Sequence, residues 1–189
     1  MFYLTDSSPL SLDPNTASRN LILSEEDRRV TRTDQPQPYS DHPQRFTCSF
    51  NVLSREPLPG CSYSEVESSG ENVGIAVCYK DINRKEEVLS DFGRTDQSWM
   101  LRCGSAGGVK SYLFFHNNIH TSVSALPSST GRFRVGVFVD QPEGVLSFYS
   151  VDVEGNKLSL LHTERATFTK DLYVGIGVSK ATAQVCKIW

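Results

Sequence analysis

Long apolar runs are missing from this 189-residue chain. No window approaches the ~18 uninterrupted apolar residues of a bilayer-spanning helix. The N-terminus shows no charged n-region followed by an apolar stretch, so no secretory signal is read there. Cysteine is sparse: Cys48, Cys61, Cys78, Cys103 and Cys186 are scattered, odd in number and without a C-x-x-C pair. That pattern argues against a disulfide framework and for a reducing, cytoplasmic setting. No N-x-[ST] acceptor occurs, which agrees with that setting but decides little. Basic charge is not in excess either. With 19 Lys and Arg against 22 Asp and Glu the net charge is −3, whereas a nucleic-acid binder usually needs a basic face for phosphate.

Helix signals are lacking as well. Ser24-Glu-Glu-Asp27 imitates a capping box, but no amphipathic period follows it, so residues 24–29 read as a charged turn. What is present is alternation. Phe133 to Val151 carries two runs rich in β-branched and aromatic residues around Asp140-Gln-Pro-Glu-Gly144, the pattern of a β-hairpin. Val135, Val137 and Val139 share one face of the first run and Phe138 lies on the other, which places that strand inside a stack of sheets. In the second run Leu146 and Phe148 alternate with Ser147 and Tyr149.

Similar strand-like runs occur at 21–23, 46–53, 63–67, 73–79, 99–101, 112–115, 158–161, 172–178 and 185–189. Between them lie turn clusters at 13–16, 68–72, 104–110 and 117–130, and a long loop with three prolines over 31–43. Short strands punctuated by turns, with no convincing helix, describe an all-β sandwich. The chain is long enough for one large β domain.

Catalytic and metal motifs are hard to find. His116-Asn-Asn-Ile-His120 offers two imidazoles, but on one strand they would stand roughly 13 Å apart, too far to share an ion. Gly104-Ser-Ala-Gly-Gly-Val-Lys-Ser111 fails the spacing of a phosphate loop and is followed by no helix, so it reads as a flexible hairpin loop. No G-x-S-x-G elbow presents a nucleophile. Cys61, Cys78 and Cys103 read as small buried hydrophobes.

Several segments, in order, resemble the PRY–SPRY domain. Leu10-Ser-Leu-Asp-Pro-Asn-Thr-Ala17, Leu21-Ile-Leu-Ser24 and Tyr39-x-Asp41-His-Pro-x-Arg45-Phe46 are similar to its PRY half. Val52-Leu53-x-Arg55-Glu56, Tyr63-x-Glu65-Val-Glu67, Gly74-Ile-Ala-Val77, Phe92-Gly-Arg-x-Asp-x-Ser-Trp99, Val135-Gly-Val-Phe-Val-Asp140, Gly144-Val-Leu-Ser-Phe-Tyr149 and Thr167-Phe-Thr-x-x-Leu-Tyr173 are similar to its SPRY half. The wording resembles versions common in fish tripartite-motif ubiquitin ligases, NLR-type immune receptors and stonustoxin-like pore-forming toxins, whose other domains have no counterpart in these residues. One departure stands out: Ser64 occupies a position where the family usually has Trp, so that either neighbours such as Trp99 or Phe114 fill the gap or a shallow polar pocket forms.

The resemblance implies a bent two-sheet antiparallel β-sandwich of the SPRY type with an N-terminal PRY segment packed on it. Residues 1–9 would be a tail or linker remnant, 10–60 the PRY segment and 61–189 the SPRY segment, with 10–189 folding as one domain. It further implies a non-catalytic module that binds a protein through variable loops on one face, with no cofactor, no metal and no nucleic acid. The alternative it leaves open is the terminal domain of a pore-forming toxin subunit, secreted and meeting a cell surface or a neighbouring subunit. By matching motifs, partner contacts would fall on Arg32, Asp34 and Gln35 in the PRY loop, on Asp81, Asn83 and Arg84, on Arg102 and Gly104, and on Ser179 and Lys180. As loop residues, Arg84 and Arg102 are expected to be replaceable by alanine at little cost in stability.

Overall fold

The alternating pattern condenses into thirteen strands in the computed structural model, which describes residues 10–127, 130–152 and 157–186. They are β1 (Leu21–Ser24), β2 (Arg29–Arg32), β3 (Asn51–Leu53), β4 (Cys61–Gly70), β5 (Asn72–Tyr79), β6 (Ser98–Ala106), β7 (Val109–His116), β8 (Ile119–Pro127), β9 (Arg132–Asp140), β10 (Val145–Asp152), β11 (Lys157–Arg165), β12 (Leu172–Val178) and β13 (Ala181–Val185). A seven-stranded sheet runs β1-β2-β13-β4-β9-β10-β11, and a six-stranded sheet runs β3-β12-β5-β6-β7-β8. All neighbours in both are antiparallel. The N-terminal segment contributes to both layers: β1 and β2 extend one sheet beside β13, and β3 edges the other beside β12.

The hairpin expected at 133–151 is β9 and β10, turning at Gly144 with φ 65°. Val135, Val137 and Val139 point between the sheets and meet Val174, Ile176, Ile75 and Leu101 of the facing sheet in one core. On the outer side of β9, Tyr63 lies across Gly136, where any side chain would collide with its ring.

A second, smaller core sits on the outward face of the six-stranded sheet. Phe46, Leu53, Ala76, Cys78, Ile82, Phe92 and Tyr173 form it beneath the segments that follow β2 and β5. Its strand β5 is therefore buried on both faces, as its uninterrupted apolar run demands. Burial pushes the Cys78 thiol up to about 12 and also raises that of Cys103, so both stay protonated and serve as packing. Cys61 is exposed at the start of β4, contrary to the expectation that it is buried.

Five boundaries differ most from the sequence reading. The 104–110 stretch is not a loop: β6 and β7 continue to a two-residue turn at Gly107-Gly108, with φ 57° and 76°, the left-handed pair that suits a tight hairpin. Asn117-Asn118 makes the same turn, with φ 51° and 60°, and the polar residues after it form edge strand β8. β4 runs on to Gly70 through serines paired with β9 and β13. Of 46–53 only Asn51–Leu53 pairs as a strand, because Phe46 turns into the second core instead. The last strand is Ala181–Val185, earlier than the 185–189 expected, of which 187–189 lie outside the described residues, as does the 1–9 tail.

Ser64 stands on the core-facing side of β4, opposite Val137, and is partly exposed. Trp99 is held elsewhere, stacked 4.7 Å from His116 and edge-on to Tyr79 and Phe168.

Candidate functional site

Two glycines open a hollow in the outward face of the six-stranded sheet. Gly74 of β5 and Gly177 of β12 are cross-strand partners, and without side chains they leave the sheet surface at backbone level. Met100 reaches over Gly74 and Asn51 over Gly177, so neither position has room for a larger residue without displacing them. The result is a groove of about 310 Å³ with Phe92, Met100 and Phe115 among its lining residues.

One wall is the stretch 48–51 tied to the stretch 87–94. Ser49 Oγ shares hydrogen bonds with Ser90 Oγ at 2.6 Å and Asp91 Oδ1 at 2.8 Å, and Asn51 Nδ2 donates to the Ser90 carbonyl at 2.9 Å. Because Ser49, Asn51 and Ser90 are buried, these bonds fix the wall's shape. The opposite wall carries Arg102 of β6. Its Nε donates to Asn72 Oδ1 at 3.0 Å, and its guanidinium stands 5.8 Å from the Phe115 ring centre. Arg102 is exposed and held by two neighbours, a posture that leaves its remaining N–H groups directed to solvent.

The expected site residues divide into two places. Arg102 and Ser179 line the groove; Gly104 pairs with Asn72 at its end, and Lys180 reaches Glu71 at 3.6 Å beside it. Arg102 and Gly104 belong to a strand, however, and not to a loop. Arg32 joins the rim indirectly, its guanidinium 3.9 Å above the ring of Phe50, while Asp34 is fully exposed beyond it and Gln35 donates its backbone N–H to Thr33 Oγ1. Asp81, Asn83 and Arg84 lie away from this groove. Asp81 is ion-paired with Lys170, and Asn83 Oδ1 accepts the backbone N–H groups of Lys85 and Glu86 as the head of a local turn.

Arg84 overturns the expectation that it is a solvated loop cation. It is 7% exposed, donates to the Gln44 carbonyl at 2.7 Å and to that of Lys80, and stacks 5.4 Å from the Phe46 ring centre. Burial without a carboxylate partner lowers its pKa, but a guanidinium stays charged. Arg84→Ala strands two carbonyls and uncovers Phe46, so it is expected to cost about 3 kcal/mol in urea unfolding. A loss below about 1 kcal/mol would show that the guanidinium is not an internal tie.

Asn51, Asn72, Asp91, Arg94 and Phe115 also line the groove, and nothing in the sequence marked them as site residues. The only signal available was alternation: residues of β6 and β7 out of phase with Leu101, Cys103, Tyr112 and Phe114 must face outward. The two histidines considered for metal diverge. His116 Nδ1–H donates to the Ser98 carbonyl at 2.8 Å, while His120 stacks on Phe115 across the hairpin. Among the described residues no group of three metal-ligating side chains converges.

Comparison with known proteins is consistent across sequence and structure. The family model of PRY, the SPRY-associated domain, matches residues 10–58, and that of the SPRY domain matches residues 62–188. Stonustoxin subunit beta of Synanceia horrida is 34% identical over 177 residues, covering 93% of this chain and 24% of the toxin subunit. Tripartite motif-containing protein 16 of Mus musculus is 32% identical over 181 residues, covering 94% of this chain and 31% of its own length. The chain thus spans about a quarter to a third of these curated relatives. The stonustoxin structure superposes with a TM-score of 0.82 at 29% identity, over 94% of this chain and 28% of that one. A crystal structure of the TRIM65 PSpry domain superposes with a TM-score of 0.80 at 26% identity, over 96% and 90%.

Proposed function

The chain belongs to the SPRY family, with its PRY segment in front, and we propose from that premise that it is a non-catalytic module which recognises a protein partner in the groove between Phe50 and Arg102. The observation that carries this reading is the posture of Arg102. An exposed guanidinium, braced by Asn72 and Phe115 on a rigid strand, offers bidentate hydrogen bonds with little further loss of side-chain freedom. Phe50, 37% exposed at the opposite rim, adds an aromatic surface beside it. Arginine and large aromatics are the residue types on which interface energy concentrates.

The setting follows from the parent protein. On the first reading the module selects targets for a tripartite-motif type ubiquitin ligase or an innate-immune receptor, inside the cell. The similarity to stonustoxin subunits favours a second, in which the same face meets a neighbouring subunit or a cell-surface component outside the cell. An upstream RING and coiled coil in the parent gene supports the first, and an upstream pore-forming domain the second.

The test is a titration of the partner retained by the immobilised chain. Arg102→Ala is expected to weaken binding by about 10- to 30-fold, with the melting temperature unchanged. Equal affinity for the parent, Arg102→Ala and Phe50→Ala would remove the groove as the binding face.

A further inference from the structure

Away from the groove, the turn at 42–45 and the loop at 80–85 enclose two adjoining hollows of about 410 and 340 Å³ that share Pro43 and Lys85. Their walls carry Arg19, Arg45, Lys80, Arg84 and Lys85 against only two carboxylates, Asp41 and Asp81. Both carboxylates are already engaged, Asp41 by Arg19 and Asp81 by Lys170.

The other cations are held by neutral groups. Arg45 donates to the carbonyls of Pro14, Ala17 and Ser40, Arg84 to those of Gln44 and Lys80, and Lys85 to that of Arg45 at 2.7 Å. Lys80 lies 5.6 Å from the ring centre of Tyr173. Among the described residues none of these four has a carboxylate within 4.0 Å. Carbonyl oxygens satisfy the N–H groups but cancel no net charge. Four positive charges therefore stand around one concavity with no direct ion-pair partner, in a chain whose net charge is −3. A recess with low-dielectric walls focuses such a field outward.

We propose that this saddle is a second recognition site, independent of the groove, and that it takes a carboxylate-bearing segment of a partner protein: a short run of Asp or Glu. The surroundings select a peptide over a larger polyanion. Glu86 and Glu87 stand exposed beside the cations with no ion pair among the described residues, so an extended phosphate backbone or an anionic bilayer would run over like charge at the edge of the recess. A flexible peptide can place one or two carboxylates in the recess and keep the rest of its chain clear.

The experiment uses a short fluorescein-labelled peptide of glutamates in a glycine–serine frame, read by fluorescence anisotropy at low salt. A glutamine version, an RNA oligonucleotide and phosphatidylserine vesicles are compared with it. Lys80 and Lys85 are both exposed; Lys80→Glu and Lys85→Glu are each expected to weaken the glutamate peptide by about tenfold, and Arg102→Ala to leave it unchanged. Should Lys85→Glu unfold through loss of its bond to the Arg45 carbonyl, Lys80→Glu gives the same reading. The proposal is overturned if the glutamine peptide binds as well, if neither lysine variant weakens binding, or if RNA or vesicles bind more tightly and lose affinity in those variants. Because the lysine variants spare the groove and Arg102→Ala spares the saddle, the two sites can fail separately.

Discussion

Arg45→Ala is expected to destabilise the chain by about 4 kcal/mol, the cost of leaving three buried carbonyls without their charged donor. Arg45 is 4% exposed, and its guanidinium donates at 2.8 Å to Pro14, 2.7 Å to Ala17 and 2.9 Å to Ser40, all carbonyls, with the Tyr39 ring centre 5.0 Å away. One side chain thus ties the turn after Leu12 to the end of the proline-bearing loop. That turn is itself joined to β3, since Thr16 Oγ1 accepts the Leu53 N–H at 3.0 Å. Removing the guanidinium leaves three carbonyls short of a donor in a place with little access to water. Arg45→Lys should recover only part of the loss, because an ammonium cannot reproduce the planar fork. In a chain of this size the melting temperature should fall by about 12 °C. We further expect one transition in both parent and variant, since the N-terminal strands are paired into both sheets. A fall of less than about 3 °C, or a separate early transition for residues 10–58, would contradict this role.

Phe46→Ala should cost a similar amount, about 4 kcal/mol, but by another route. Phe46 is fully buried in the second core, edge-on to Phe92 at 5.9 Å and beneath the Arg84 guanidinium. The ring supports the segment from Ile82 to Phe92, which forms a wall of the groove. The variant should therefore lose partner affinity as well as stability, whereas Phe148→Ala in the main core should lose stability alone. Arg84 and Phe46 touch, so the double variant should be less destabilised than the sum of the singles, by about 0.5–3 kcal/mol. Strict additivity in urea unfolding would mean that the two do not act as a unit.

The β9–β10 hairpin was legible because period-two burial and β-branched residues coincide there. The order of segments identified the family, and with it the two-sheet sandwich. Strand lengths were less legible where polar residues line an exposed side, as in Ser68–Ser69 and in β8, since their pairing comes from distant strands. The groove was half legible. Arg102 could be placed by its motif, but Gly74 and Gly177 read only as members of buried strands, and their hollow depends on the register that sets them opposite each other. Arg84 was misread for the same reason. Its sequence neighbours are polar, while the groups that bury it, Phe46 and the Gln44 carbonyl, lie some forty residues away.

The groove as the partner-binding face is tested most directly by site-specific photo-crosslinking. A benzophenone amino acid is placed at Phe50, on the groove rim, or at Leu160, 59% exposed on β11 of the other sheet. Irradiation with the bound partner is expected to give a crosslinked product from position 50, lost when Arg102 is also replaced by alanine, and none from position 160. A product from position 160 and not from 50 would place recognition on the opposite sheet and contradict the account.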